Sequence, residues 1–222
     1  MHGSWLPLAL ALAVVSAGAT AAPCVDPDNV TRVTGNGECL VLRTYRSPGL
    51  TTAPALVVGL HGDMSGGGTP DYIFRVAQRI ATQWGLVNVV AVGLVRPGYS
   101  ESGGAQSTGD NHDRMDSYTA RNIDAVAAAV ARLKAHHRAG RAILLGHSGG
   151  AAIAAVALGR HPGLAAGAVL VACPCDIDKW LASGNRRPWT RSVSPRDYAG
   201  RVPPATRVIA INGRNDEVTP RS

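Results

Sequence analysis

Ser148 is the residue of this chain best placed to do chemistry. It stands at the centre of Gly146-His147-Ser148-Gly149-Gly150, a G-x-S-x-G pentapeptide. A short apolar run, Ala142 to Leu145, precedes it and an Ala-rich stretch, AAIAAVAL, follows. Strand, pentapeptide, helix is the context of a nucleophile elbow, in which a serine is held on a sharp strand-to-helix turn. The reason is steric: the turn forces strained backbone angles on the serine, so the residues two before and two after it must be small. A helix beginning at such a serine also presents free N–H groups and the positive end of its dipole where an oxyanion would form. G-x-S-x-G alone recurs by chance in glycine-rich chains; the flanking strand and helix patterns give it weight.

Two further segments belong to the same chemistry. His61-Gly62-Asp63 closes an apolar strand pattern, Ala53 to Leu60, and Gly66-Gly67-Gly68 follows it as a pliable rim. Near the end of the chain Asn212-Gly213-Arg214-Asn215-Asp216-Glu217-Val218-Thr219-Pro220 follows the last apolar run, Ala205 to Ile211. Between them lie the other elements that must position these loops. Glu38 to Tyr45 reads as a strand near the sheet edge, and 22–37 as polar and turn-rich. Thr69-Pro70-Asp71 reads as a helix start, and Ile73, Val76, Ala77, Ile80 and Ala81 follow on one face. A strand lies within Leu86 to Val95, a helix over Tyr118 to His137 and a strand over Gly167 to Ala172. Strands alternating with helices predict an α/β domain, a mostly parallel sheet with helices on both faces.

With these segments on view, the stretch from about Ala53 to Pro220 resembles the α/β-hydrolase superfamily. Within it, GHSGG and the RPGYS and TGDN loop segments look most like the prolyl oligopeptidase-type catalytic domain. The resemblance implies an acyl-enzyme on Ser148, with ester or peptide substrates. It implies oxyanion donors from the backbone N–H of Gly149 and of Asp63 or Met64, and a triad acid at Asp216 in a G-x-x-D-x-V-x-P pattern. Glu217 is out of register for that role. The His61 ring is expected to brace its loop, and His112, in the Gly- and Ser-rich loop, to be solvated. Residues 184–201 resemble a cap, and its arginines read first as a solvated surface, with an anion grip as the rival.

The superfamily's order is Ser, acid, His, yet no histidine follows Asp216. His147 adjoins the nucleophile, and neighbouring side chains on a sharp turn point apart. The expectation is therefore a C-terminally incomplete domain over 22–222, lacking its last strand and helix and weakly active or inactive. The alternative is a non-catalytic binding protein of the same fold.

Composition bounds the rest. Charged residues are 17% and hydrophobic ones 45%, which excludes a disordered chain. The net charge of +7 is almost wholly arginine, since Lys134 and Lys179 are the only lysines. No nucleic-acid module accompanies it, so no nucleic-acid partner is expected. Leu6 to Val15 and Ala19-Thr20-Ala21 fit an h-region and cleavage site, which makes 1–21 a signal peptide and the protein secreted or periplasmic. That apolar run is too short to span a bilayer. Four cysteines fit an oxidising compartment. Of three connectivities, Cys24 with Cys39 and Cys173 with Cys175 is the simplest. Cys173-Pro174-Cys175 also has the form of a redox or metal pair, but no second Cys or His cluster supports a metal. No cofactor is implied, and the sequence says nothing of oligomeric state.

Overall fold

A computed structural model describes residue 24 and residues 27–219; the expected signal peptide lies outside them. Seven strands form one sheet: β1 (Arg32–Gly35), β2 (Glu38–Arg46), β3 (Ala55–Leu60), β4 (Val89–Leu94), β5 (Arg141–His147), β6 (Gly167–Val171) and β7 (Arg207–Ile211). Their order is β1-β2-β4-β3-β5-β6-β7. The pairs β1–β2 and β2–β4 are antiparallel and the other four are parallel. This is the mostly parallel sheet that the strand–helix alternation predicts.

Side-chain alternation builds two cores. In β3, Leu56, Val58 and Leu60 point to one face, where α2 (Ala120–His136) and α3 (Gly149–Arg160) pack. Ala55 and Val57 point to the other, beneath α1 (Tyr72–Thr82). The main core adds Val90, Val92 and Leu94 from β4, and Ala142 and Leu144 from β5. Each branched side chain so buried contributes about 1.5–3 kcal/mol. β1 and β7 are the two edges of the described sheet, and all five residues of β7 are exposed.

Two local expectations change. The helix start falls two residues later than Pro70. Asp71 is the N-cap and makes no side-chain cap bond. Its carboxylate accepts from the Thr69 hydroxyl and from the Ser102 N–H instead. The turn-rich 22–37 segment contains β1, joined to β2 through Asn36 and Gly37, both at positive φ (46° and 83°). That two-residue turn is the hairpin connection whose twist matches the flanking strands. Disulfides join Cys24 to Cys39 and Cys173 to Cys175. Among the described residues no helix is long and apolar enough to cross a membrane, and no group of side chains could hold a metal ion.

Candidate active site

The C-terminal ends of the parallel strands bring the three chemical segments together, the crevice where open α/β sheets hold ligands. Ser148 lies between β5 and α3 with φ 51° and ψ −121°, a conformation costly for a residue with a Cβ. The strain is held from several sides. Ser148 N–H donates to the Val171 carbonyl at 2.8 Å, and Ser148 O accepts from Ala151 N–H at 2.8 Å. A Cβ at position 146 would run into the Gly150 carbonyl and Ala151 backbone, and one at 150 into the Leu60 and His61 carbonyls. The small residues two before and two after the serine are therefore set by backbone contact, as the motif predicts.

The loop after β3 lies directly against this turn. A Cβ on Gly62 would stand 3.2 Å from both Ser148 Cβ and His147 Nδ1. The loop's peptides have fixed directions. His61 Nδ1–H donates to Gly62 O at 2.7 Å, and Tyr99 OH donates to Asp63 O at 3.0 Å. In a planar trans peptide C=O and N–H oppose each other, so the N–H groups of Asp63 and Met64 point away from those partners. Arg114 Nη1 and Gly67 N–H both donate to Met64 O, at 2.8 and 2.9 Å. Among the described residues the N–H groups of Asp63, Met64 and Gly149 donate to nothing. They remain available to an oxyanion.

Beneath the loop lies a polar cluster the sequence did not announce. Arg96 is 1% exposed, and its guanidinium reaches Asp63 Oδ1 at 2.9 Å, His61 O at 3.0 Å and Ser117 Oγ at 3.2 Å. Tyr118 OH donates to Asp63 Oδ2 at 2.5 Å. Arg96 N–H donates to His61 Nε2 at 2.9 Å, so with Nδ1–H on Gly62 the ring is the neutral tautomer. Burial, and then Arg96, hold the His61 pKa well below its usual value. His61 thus braces the loop, as expected. Burial and Asp63 push the Tyr118 phenol well up, keeping it a neutral donor. The RPGYS segment, singled out only as a loop, supplies Arg96 and Tyr99. Tyr118, Tyr72 and Ser117 carried no motif.

Asp216 stands in the loop after β7. Its carboxylate accepts from Thr219 Oγ1 at 2.7 Å and from the N–H groups of Thr219 and Val218 at 2.9 and 3.0 Å. These bonds, Thr219 first, lower its pKa. It is therefore an ionised group, and it acts electrostatically on His147. His147 is bonded through Nδ1 to Tyr72 OH at 2.8 Å, while the same hydroxyl accepts from Gly62 N–H at 2.7 Å. Burial lowers the His147 pKa; Asp216 and then Asp63 oppose the shift.

A cavity of about 1040 Å³ opens above Ser148. The β3 loop, the 112–116 segment and Trp180, Trp189 and Val218 line it. His112 is among the lining residues, tied through Nδ1 to Asp110 Oδ2 at 3.0 Å. The structure thus gathers Ser148, Gly149, Asp63 and Met64 at one site; Asp216 is not among the cavity's lining residues and bears on the site through its electrostatic effect on His147. No described imidazole hydrogen-bonds to Ser148. His161 pairs with Asp124 at 2.8 Å, and the rings of His136 and His137 meet edge to face at the far end of α2. Of residues 184–201, Arg186, Arg187, Trp189 and Arg191 line the cavity, whereas Pro195–Arg201 packs against α3. Asp116 accepts from the N–H groups of Thr190, Arg191 and Ser192.

Comparison with known proteins bears on the family and the fold. Residues 74–217, well over half of the chain, match the family described as serine aminopeptidase, S33. A lipase/esterase from Lactobacillus plantarum has a similar structure, with a TM-score of 0.58 at 17% identity over 86% of this chain and 82% of that one. Est1E from Butyrivibrio proteoclasticus, solved with ferulic acid bound, gives 0.57 at 13% identity, over 85% and 80%. XC6422 from Xanthomonas campestris, an α/β serine hydrolase without a lid, gives 0.54 at 15% identity, over 88% and 76%. At these identities the likeness is one of fold. None of the curated proteins compared is a match in sequence.

Proposed function

The chain belongs to the serine aminopeptidase S33 family of α/β hydrolases, and from that premise we propose that it cleaves esters or peptide bonds through an acyl-enzyme on Ser148. The observation that carries this reading is the strained Ser148 turn facing the cavity beside unspent N–H groups. Ser148 Oγ attacks the carbonyl carbon and gives up its proton to a base. The tetrahedral oxyanion is held by Gly149 N–H and by that of Asp63 or Met64. The alcohol or amine departs with a proton, and water then cleaves the acyl–Oγ bond to release the acid. Asp216 is the acid that the family resemblance implies for orienting an imidazole base, and among the described residues no imidazole hydrogen-bonds to Ser148.

One observation favours a second reading. The described imidazoles lie elsewhere or, like His112 and His147, are engaged through Nδ1 with Asp110 and Tyr72. A protein using this cavity only for binding would need no base. Export, with residues 1–21 removed, is part of the same proposal, and the two disulfides are compatible with it. The specificity of prolyl oligopeptidases, implied by the loop resemblance, is an extension of it.

The test is Ser148→Ala assayed with a p-nitrophenyl ester and a fluorophosphonate probe. The hydrolase reading expects labelling and turnover in the parent, both lost in the variant. Triad members act as a unit, so the rate should fall on the order of 10⁴-fold or more. An unlabelled, inactive parent that binds ligands in this cavity would support the second reading.

A further inference from the structure

The cavity above Ser148 carries positive charge that its own acids leave unneutralised. Arg114, Arg186, Arg187 and Arg191 line it. Among the described residues none of the four forms an ion pair. Elsewhere Arg43 closes on Glu101, Arg121 on Glu38, Arg160 on Asp124 and Arg196 on Asp176.

The acids that share the cavity are mostly engaged. Asp63 holds Arg96 and Tyr118, and Asp116 accepts three backbone N–H groups. Asp113 is the remaining lining carboxylate. Three of the guanidiniums are also placed without losing their charge. Arg186 lies 4.3 Å over the Trp180 ring, Arg114 donates to Met64 O at 2.8 Å, and Arg191 Nη1 stands 3.3 Å from His112 Nδ1. A ring face or a neutral carbonyl leaves the other N–H donors of the fork free. Beside them Trp180 and Trp189 meet edge to face, their centroids 5.4 Å apart, and give the same wall an apolar surface.

We propose that this wall selects substrates bearing a carboxylate: esters or amides whose acyl or leaving part ends in an anion that Arg186 and Arg191 grip beside the tryptophans. The fork of a guanidinium matches the two oxygens of a carboxylate, and partial exclusion of water strengthens the contact. The inference rests on Ser148 being the nucleophile and adds to it the class of substrate.

The test compares two esters of equal acyl length, p-nitrophenyl valerate and mono-p-nitrophenyl glutarate, which differ by a terminal methyl against a carboxylate. The proposal expects kcat/KM for the glutarate to exceed that for the valerate about tenfold or more. In the Arg186→Gln/Arg191→Gln double variant the ratio should collapse. Because both esters are read in one preparation, loss of folded protein cancels. A Ser148-dependent enzyme with no glutarate preference, or one whose preference survives the double variant, overturns the inference and leaves the hydrolase reading intact. A second arm titrates Ser148→Ala with glutarate and with inorganic phosphate, followed by tryptophan fluorescence. Arginine-dependent binding of glutarate supports the anion wall even if no ester is turned over, in which case the hydrolase reading alone fails. Tighter binding of phosphate than of glutarate overturns the assignment to a carboxylate.

Discussion

The carboxylate of Asp63 lies against the Cα of Gly149, so closely that a Cβ at 149 would collide with it and with Tyr118 OH. The two residues proposed to donate to the oxyanion are thus packed on each other through the Asp63 carboxylate. That carboxylate is also the counter-ion of Arg96, which is 1% exposed.

Asp63→Asn leaves the Arg96 guanidinium buried without its anion. Breaking a buried pair by removing one partner costs about 3–5 kcal/mol, and urea denaturation should show a loss of this order. Arg196→Gln breaks the Arg196–Asp176 pair, whose side chains are 72% and 24% exposed, and should cost no more than about 1 kcal/mol. Equal losses in the two variants would contradict the role given to Asp63.

Gly150 and Gly66 make a matched pair for the elbow. A Cβ at 150 would enter the Leu60 and His61 carbonyls, whereas one at 66 has nothing within 4 Å. Backbone atoms of a central strand cannot move aside cheaply. Gly150→Ala should therefore yield insoluble protein or lose about 3 kcal/mol or more. Gly66→Ala should stay within about 0.5 kcal/mol of the parent by thermal unfolding.

Tyr72 links the loop to the elbow by accepting from Gly62 N–H and bonding His147 Nδ1. Tyr72→Phe removes both bonds and keeps the ring. If the link positions the oxyanion donors, kcat should drop about three- to thirtyfold while KM changes less. A change confined to KM would mean that Tyr72 touches substrate instead.

Acid should weaken the fold before the carboxylates begin to titrate. Burial lowers the pKa of His61 well below 6.5 and that of His137 to about 4. Both rings are neutral in the fold, and both take up a proton near pH 6.5 once unfolded. The unfolded chain thus binds more protons below pH 6.5, so stability is full above that pH and falls as pH drops from about 6.5 toward 4. His137→Asn, at the partly exposed end of α2, should keep the fold and flatten part of this slope in melts at pH 7, 6 and 5. An unchanged slope would remove His137 from the account.

The Ser148 turn could be read from the sequence because most of its demands are local. Gly146, Ser148 and Gly150 are forced by backbone contacts within a few residues and by the strand behind them. The parallel core was equally legible, since runs such as Ala142–Leu145 are apolar on both faces. The hairpin that builds β1 is absent from the sequence expectation, although Asn36-Gly37 between RVTG and ECLV signals one. Arg96, Tyr99 and Tyr118 were beyond sequence reasoning for another reason. Nothing in the chain around Arg96 says that it will be buried under residue 63, because that contact exists only once β3 and β4 are paired. The arginines of residues 184–201 read in the sequence as a charged surface, and only the fold shows which of them face the cavity.

The edge strand gives the last prediction. β7 pairs with β6 on one side, and its other side is the end of the described sheet. Val208, Ile209 and Ile211 are 44%, 57% and 50% exposed. An apolar edge with open N–H and C=O groups is a template for pairing with another chain. Placing a charge there opposes such pairing, because a second strand would have to bury it. Ile209→Lys removes little buried surface, so its stability should stay within about 0.5 kcal/mol of the parent. Its aggregation, followed by light scattering at raised concentration, should slow markedly. A lysine at buried Leu170 of β6 (Leu170→Lys) would unfold the protein and aggravate aggregation, so the pair separates an edge effect from a general effect of charge. If Ile209→Lys aggregates as fast as the parent, the β7 edge is not the surface through which the chains associate.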